Sequence, residues 1–357
     1  MATLVVPQGR FELCRFPVRS QETLRAWDAA DEYLLNYVHD EVQLSADSRI
    51  LILNDSFGAL TCALSEYPVV SISDSFIARQ GIALNLSQNK RPADTVEFRD
   101  SLQSYGTDGQ TIDLVLLKVT KSLGQLEDQL HRIRPYLSEQ SQIIAAGMVK
   151  GIHTSTLQLF EKIIGETKTS LARKKARLIF AQFERTLSPP VNRYPKCYTL
   201  ENTGYQILNH ANVFSREKLD IGTRFLIENL PSDNRFQQIV DLGCGNGIVG
   251  LMAATANPQA TLHFVDESYM AVASAEDNFS RAFPDRKALF SVTDCLQGIS
   301  ADSCDLILNN PPFHQQNVIG DFIAWQMFTE SKAALQKSGG LWVIGNRHLN
   351  YHIKLKK

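Results

Sequence analysis

QIVDLGCGNGIVGLMAATANPQATLHFVDES, running from Gln238 to Ser268, decides the fold. IVDL is a short apolar run that ends close to an acid, GCGNG is a loop, and IVGLMAATA carries apolar residues at helical spacing. TLHFVD then alternates toward a second acid. Strand, glycine loop, helix and strand make a βαβ unit, which predicts a parallel, doubly wound sheet.

The N-terminal half carries a weaker version of the same phrase. ILILNDSFGALTCALSEYPVVSISDS, Ile50 to Ser75, again runs strand, glycine loop, helix, strand, acid. The halves then keep step: 39 residues separate Asp74 from Asp113, and 39 separate Asp266 from Asp305. Asp113 opens DLVLLKVTK, Asp305 opens DLILNNPPF, and apolar strands follow in SQIIAAGMV and GGLWVIGN. This pattern predicts a duplicated α/β domain, with residues 1–185 as one copy and 186–357 as the other. The first copy has DSFG where the second has GCGNG, and LKVTK where the second has NNPPF. It therefore reads as degenerate, and Lys118 and Lys121 in its altered stretch point to anion binding.

Two cofactors compete for the intact loop. Gly245, Gly247 and Gly250 satisfy the dinucleotide pattern GxGxxG, with Asp266 about 20 residues on to hold a ribose. Asp241, Gly243, Gly245 and Gly247 also fit the acid-x-Gly-x-Gly-x-Gly loop of S-adenosylmethionine proteins, with Cys244 inside it. A carboxylate at Asp241 suits a cationic sulfonium and would repel a pyrophosphate, which favours the methyl donor. Backbone N–H groups of such a loop are expected to approach the ligand. Asp266, followed by Glu267, would accept from both ribose hydroxyls, or would cap the following helix. Asp294, after the apolar run ALFSVTD, would accept from the adenine amine beside the Cys295 N–H.

ILNNPPFHQQ, Ile307 to Gln316, explains what that donor would serve. Asn310 closes a strand at the carboxyl edge of the sheet, where open α/β sheets bind ligands. Pro311 and Pro312 fix an extended path, so the Asn310 amide oxygen and the Pro311 carbonyl become two set acceptors. A planar exocyclic amine fits between them, and Phe313 can stack on its ring for roughly 1–3 kcal/mol. The acceptors stabilise charge developing on the nitrogen, and no strong base is needed.

DLGCGNG, FVDES and NPPFH, preceded by HANVFSREKLDIGTRFL, together resemble the bacterial ribosomal RNA guanine-N2 methyltransferases. RFPVRSQETLRAWDAADEYLL, LILNDSFGAL and IHTSTLQLFEK look like the large-subunit members, which act on 23S rRNA. The resemblance spans essentially the whole chain. It implies two tandem Rossmann-like class I methyltransferase domains, the first inactive and RNA-binding, the second catalytic with S-adenosylmethionine. By position it implies that Asp241, Gly243, Gly245 and Asp266 hold the donor and Asp294 its adenine. Asn310, Pro311 and Phe313 would hold the guanine, and Phe214 to Asp220 would close over the methionine end, unless Ser215 merely caps a helix.

Composition sets the remaining bounds. With 44% hydrophobic and 21% charged residues the chain reads as globular, and no apolar run is long enough to span a bilayer. Six scattered cysteines without a CxxC pair argue for reduced thiols in a cytoplasm and against a zinc site. The net charge of −2 hides a local excess: residues 151–200 hold nine Lys/Arg against three Asp/Glu. Arg173, Lys174, Lys175 and Arg177 concentrate it, either as an RNA face or as a solvated helix surface. A monomer without metal or membrane association is expected. The chain stops about one hairpin short of the usual fold, which suggests a trimmed end or a sheet lacking its last strands. Two rivals stand: transfer to adenine-N6 or a protein glutamine, and a non-catalytic RNA-binding assembly factor.

Overall fold

The computed structural model describes residues 1–92, 94–107, 109–312 and 319–355. The chain divides into two compact units, Met1–Arg193 and Tyr194–Lys357. The division falls after the expected boundary at 185 for a local reason. Asn192 donates to Asp128 and Arg193 pairs with Glu127, each at under 3 Å, which ties the stretch after 185 to the first unit.

The first unit opens with an antiparallel hairpin, β1 (Ala2–Val6) and β2 (Gly9–Leu13), and α1 (Ala29–Glu41). Its sheet contains β3 (Ile50–Leu53), β4 (Val69–Ser73), β5 (Val96–Asp100), β6 (Leu114–Lys118), β7 (Gln142–Met148), β8 (Thr167–Thr169) and β9 (Ala176–Gln182). They lie in the order β5-β4-β3-β6-β7-β9-β8, parallel as far as β7 and antiparallel beyond it. Alternate residues of β3 serve opposite faces: Ile50 and Ile52 enter one apolar cluster, Leu51 and Leu53 the other. Burial of such side chains on both faces, at roughly 1.5–3 kcal/mol each, is why this strand reads as a continuous apolar run. Helices α2 (Ala59–Leu64), α3 (Phe76–Gln88), α4 (Leu123–Ile133) and α5 (Thr154–Ile163) complete the unit.

The second unit begins with the hairpin β10 (Lys196–Thr199) and β11 (Gln206–Asn209), then α6 (Ile221–Glu228). Its sheet contains β12 (Gln238–Leu242), β13 (Thr261–Asp266), β14 (Leu289–Val292), β15 (Cys304–Asn309) and β16 (Leu335–Val343), in the order β14-β13-β12-β15-β16, all parallel. Helices α7 (Ile248–Ala256), α8 (Tyr269–Ala282), α9 (Ile319–Ala334) and α10 (Tyr351–Lys354) accompany it.

Five strands of each sheet therefore follow one plan, and their registers agree. Ile50 pairs with Leu114 as Ile239 pairs with Leu306. The two aspartates 39 residues downstream do the same work: Asp113 accepts from the Arg49 N–H, and Asp305 accepts from the Gln237 and Gln238 N–H groups. Each thus satisfies backbone donors at the start of its unit's central strand.

Candidate active site

At the end of β12 the chain turns through Gly243, Gly245 and Gly247 with φ of +71°, +54° and +75°. Three left-handed residues in five are tolerable only because glycine lacks a Cβ. Contrary to expectation, the loop amides are used within the protein. Gly243 and Cys244 donate to the Val265 carbonyl, Gly247 donates to the Cys244 carbonyl, and Gly245 donates to Asp266 Oδ2 at 2.9 Å. What the loop offers a ligand is close approach, since a Cβ on Gly245 would meet nothing within 4 Å among the described residues. Gly250 serves packing instead. A Cβ there would lie 2.3 Å from the Phe264 ring, so the residue lets α7 approach β13.

Asp241 also departs from its expected part. It is 3% exposed, and its Oδ2 accepts the Gly250 N–H at 2.7 Å. Burial pushes its carboxyl up to about 8, and the neighbouring charge of Asp266 adds to the rise against the Gly250 bond. The raised pKa favours the protonated carboxyl, and the Gly250 contact of Asp241 is to the helix backbone. It anchors the first turn of α7 instead. Cys244 is buried, and burial raises its thiol well above the ordinary range.

Asp266 ends β13, with Oδ2 on the Gly245 N–H and Oδ1 on the Ser268 N–H at 3.0 Å. It does not cap α8; that role falls to Ser268, whose side chain accepts from Ala271. A carboxylate bound to two amides keeps lone pairs for ribose hydroxyls. Glu267 follows it, half-buried. Asp294 is buried two residues past β14, where Gln326 donates to its Oδ1 at 3.2 Å, and Cys295 takes a left-handed φ of +47°. Sequence reasoning missed Gln326, which lies 32 residues away and outside any motif.

Asn309 pairs with Leu242 across the sheet, so Asn310 and Gly243 leave adjacent strands at the same level. Asn309 donates its Nδ2 to the Leu242 carbonyl, and Ile344 donates to the Asn309 carbonyl, which holds the strand end. Asn310 donates its Nδ2 to Thr223 Oγ1 at 3.0 Å, while its Oδ1 is buried without a partner among the described residues. Pro311 is buried and Pro312 exposed; Phe313 lies outside the described residues. In the Phe214 to Asp220 stretch, Asp220 rather than Ser215 caps α6, accepting from the Thr223 N–H, and Phe214 is largely exposed. Thr223 was missed too, although the Asp-x-x-Thr spacing of a helix start was visible.

The residues expected to meet RNA divide. Lys118 is no anion site in this geometry. Its Nζ lies 2.8 Å from Asp28 and 2.7 Å from Asp31. Burial works against its charge, but Asp31 and Asp28 outweigh it and hold its pKa above the ordinary lysine value. Lys121 is exposed. The Arg173 to Arg177 run forms a hairpin tip, not a helix surface. Arg173 and Ala176 exchange backbone hydrogen bonds around Lys174 and Lys175, and Ala176–Gln182 continues as β9. Arg173, Lys174 and Lys175 are exposed, with Lys174 bonded to Glu32 and Arg173 over the Tyr33 ring, whereas Arg177 is half-buried. Among the described residues no His/Cys/Asp/Glu group could hold a metal ion, and no helix is long and apolar enough to cross a membrane.

Two family models match the chain. Residues 1–185 match the RLMG N-terminal domain, and residues 204–357 match the methyltransferase small domain. Proteins named ribosomal RNA large subunit methyltransferase G match over nearly the full length. One from Photobacterium profundum is 49% identical, covering 99% of this chain and 93% of the relative; one from Streptomyces avermitilis is 46% identical with the same coverage. Among solved structures, a T. thermophilus 16S rRNA N2 methyltransferase (RsmC) in complex with AdoMet and guanosine aligns with a TM-score of 0.78. It is 21% identical and covers 99% of this chain and 92% of its own, a likeness of fold across both units.

Proposed function

The chain belongs to the ribosomal RNA large subunit methyltransferase G family, and on that premise we propose that it transfers a methyl group from S-adenosylmethionine to the exocyclic N2 amine of a guanine in 23S rRNA. When bound, S-adenosylmethionine supplies a methyl group already activated on a sulfonium. What remains for the chain's own residues is to hold the acceptor nitrogen and favour charge on it. The open side of Gly245 gives the donor room at the loop formed by Gly243, Cys244 and Gly245. Asp266 with Glu267 holds the ribose, Asp294 beside Cys295 holds the adenine, and Asp241 acts through Gly250 by fixing the loop's helix.

One observation carries the acceptor assignment: the buried Oδ1 of Asn310, unpaired among the described residues, next to that loop. A buried acceptor left without a donor costs roughly 1–3 kcal/mol, which an amine N–H would relieve. Asn310 with the Pro311 carbonyl takes the two N–H groups of the amine, and Phe313 stacks on the base. The first unit binds RNA through the exposed hairpin tip at Arg173, Lys174 and Lys175, with Arg177 behind them and Lys121 as a further contact. The working form is a cytoplasmic monomer acting on 23S rRNA or an assembly intermediate. The 44–49% identity to relatives named for the large subunit supports that choice of RNA.

The test is to incubate the purified chain with methyl-labelled S-adenosylmethionine and deproteinised rRNA, then analyse nucleosides. Label in N2-methylguanosine from 23S rRNA is expected, with loss of about 10²–10³-fold in rate for Asn310→Ala. Label in N6-methyladenosine, or no transfer at all, would overturn the reading.

A further inference from the structure

The Asn310 amide could turn either its oxygen or its nitrogen toward a substrate, and only an oxygen serves an amine. The choice is made on the far side of the amide. Thr223 Oγ1 lies 3.0 Å from Asn310 Nδ2 and 3.3 Å from Asp220 Oδ2. Asp220 also accepts the Thr223 N–H at 2.9 Å, as the N-cap of α6. A carboxylate oxygen only accepts, so the Thr223 hydroxyl hydrogen goes to Asp220 and its lone pairs face Asn310. Only the amide NH₂ can meet them, which leaves Oδ1 for the substrate. Resting on the function just proposed, we propose that Thr223, oriented by Asp220, is a positioning residue that sets the polarity of the Asn310 amide.

The first unit supplies an independent observation. Asp220, Thr223 and Asn310 each stand 192 positions after Asp28, Asp31 and Lys118. Asp28 is the N-cap of α1 and Asp31 its third residue, as Asp220 and Thr223 are for α6. Lys118, at the strand position equivalent to Asn310, donates to both of those acids. The direction of donation is therefore the same in both copies: the strand end donates the hydrogen bond and the helix start accepts it. In the copy that kept NPPF, that arrangement ends in an amide whose oxygen has no partner among the described residues. In the degenerate copy it ends in a lysine, which accepts nothing.

The experiment compares Thr223→Val, which keeps shape but loses the acceptor, with Thr223→Ser, which keeps it. Single-turnover methyl transfer to 23S rRNA and S-adenosylmethionine affinity are measured on the full chain. Thr223→Val should slow transfer by about 10²-fold, a loss typical of misplacement in the reacting geometry. Its donor Kd should stay within about threefold, and Thr223→Ser should recover most of the rate. A Thr223→Val rate near that of the parent, or equal losses in Val and Ser, would overturn the proposal. Should Thr223→Val fail to fold, Asp220→Asn replaces it. Asparagine retains an N-cap oxygen but can donate to Thr223, so the hydroxyl is free to turn toward Asn310. Slower transfer with donor binding intact is expected there, and an unchanged rate overturns the idea. A parent chain that makes no N2-methylguanosine would instead defeat the functional reading itself.

Discussion

Lys118 Nζ lies 2.7 Å from Asp31 Oδ1, at the strand end where the second unit carries Asn310. With Asp28 at 2.8 Å on its other side, this lysine is a structural ion in the first unit. Removing one partner of a buried ion pair leaves the other uncompensated, at about 3–5 kcal/mol. Lys118→Ala should therefore lower the stability of the first unit by that amount. Lys118→Met, which keeps the volume, would be almost as costly while Asp31 remains, but Lys118→Met with Asp31→Leu should recover much of it. The measurement is chemical denaturation of the variants, together with the salt dependence of RNA binding. If Lys118 contacted phosphate, the salt slope would fall by about 0.7–0.9 in the single variant. No change is expected.

Two glycines of one loop-and-helix stretch should respond oppositely. Gly250→Ala forces a Cβ to 2.3 Å from the Phe264 ring, and that ring is stacked on Phe290 and edge-on to Phe279. Overpacking of this kind costs about 1–3 kcal/mol, so melting temperature should fall. Gly245→Ala meets no neighbour among the described residues; its cost is the left-handed φ of +54°, about 1–2 kcal/mol, and its new methyl occupies the open side. Donor affinity should fall more for Gly245→Ala than for Gly250→Ala, while stability falls more for Gly250→Ala. Calorimetric titration beside thermal denaturation separates the two.

The sequence reading succeeded where the signal was local or repeated. Alternation and helical spacing around GCGNG, and the 39-residue step shared by Asp113 and Asp305, were enough to place both sheets. It failed where partners are distant. Lys118 read as a free cation because Asp28 lies 90 residues away, and Thr223 escaped notice because Asn310 lies 87 residues on. The hairpin at Lys174 and Lys175 is not legible in the sequence because nothing there announces a turn. Both lysines hold positive φ, +48° and +63°, positions that Asn and Gly normally take. The sequence shows the acid at Asp241 but neither its burial nor its bond to Gly250.

That hairpin makes its own prediction. Holding two lysines in left-handed conformations costs about 1–2 kcal/mol each, a strain better tolerated if the side chains serve RNA. Lys174→Asn with Lys175→Gly should stabilise the first unit, since these residues suit the turn. The same change should weaken RNA binding and reduce the salt slope by about 0.7–0.9 per lost contact. Filter binding across a salt series, set beside denaturation midpoints, checks both halves. A stabilised variant with an unaltered slope would move the RNA face away from this tip.

Asp241 offers a pH test. Its carboxyl is raised from 3.8 to about 8, chiefly by burial, so the folded chain keeps a proton that the unfolded chain releases between those values. The stability that this group contributes is complete below about pH 4 and is lost as pH rises through 8. Asp241→Asn cannot ionise yet still presents an oxygen to the Gly250 N–H. Its melting temperature relative to the parent should therefore climb from pH 6 to pH 9, and its donor affinity at pH 7 should stay within about threefold, since the parent side chain is largely neutral there. Thermal denaturation across that range, with donor titration at pH 7, decides the matter. A parallel pH profile for the two proteins, joined to a steep loss of donor binding in the variant, would return Asp241 to the role of a charged partner for the sulfonium.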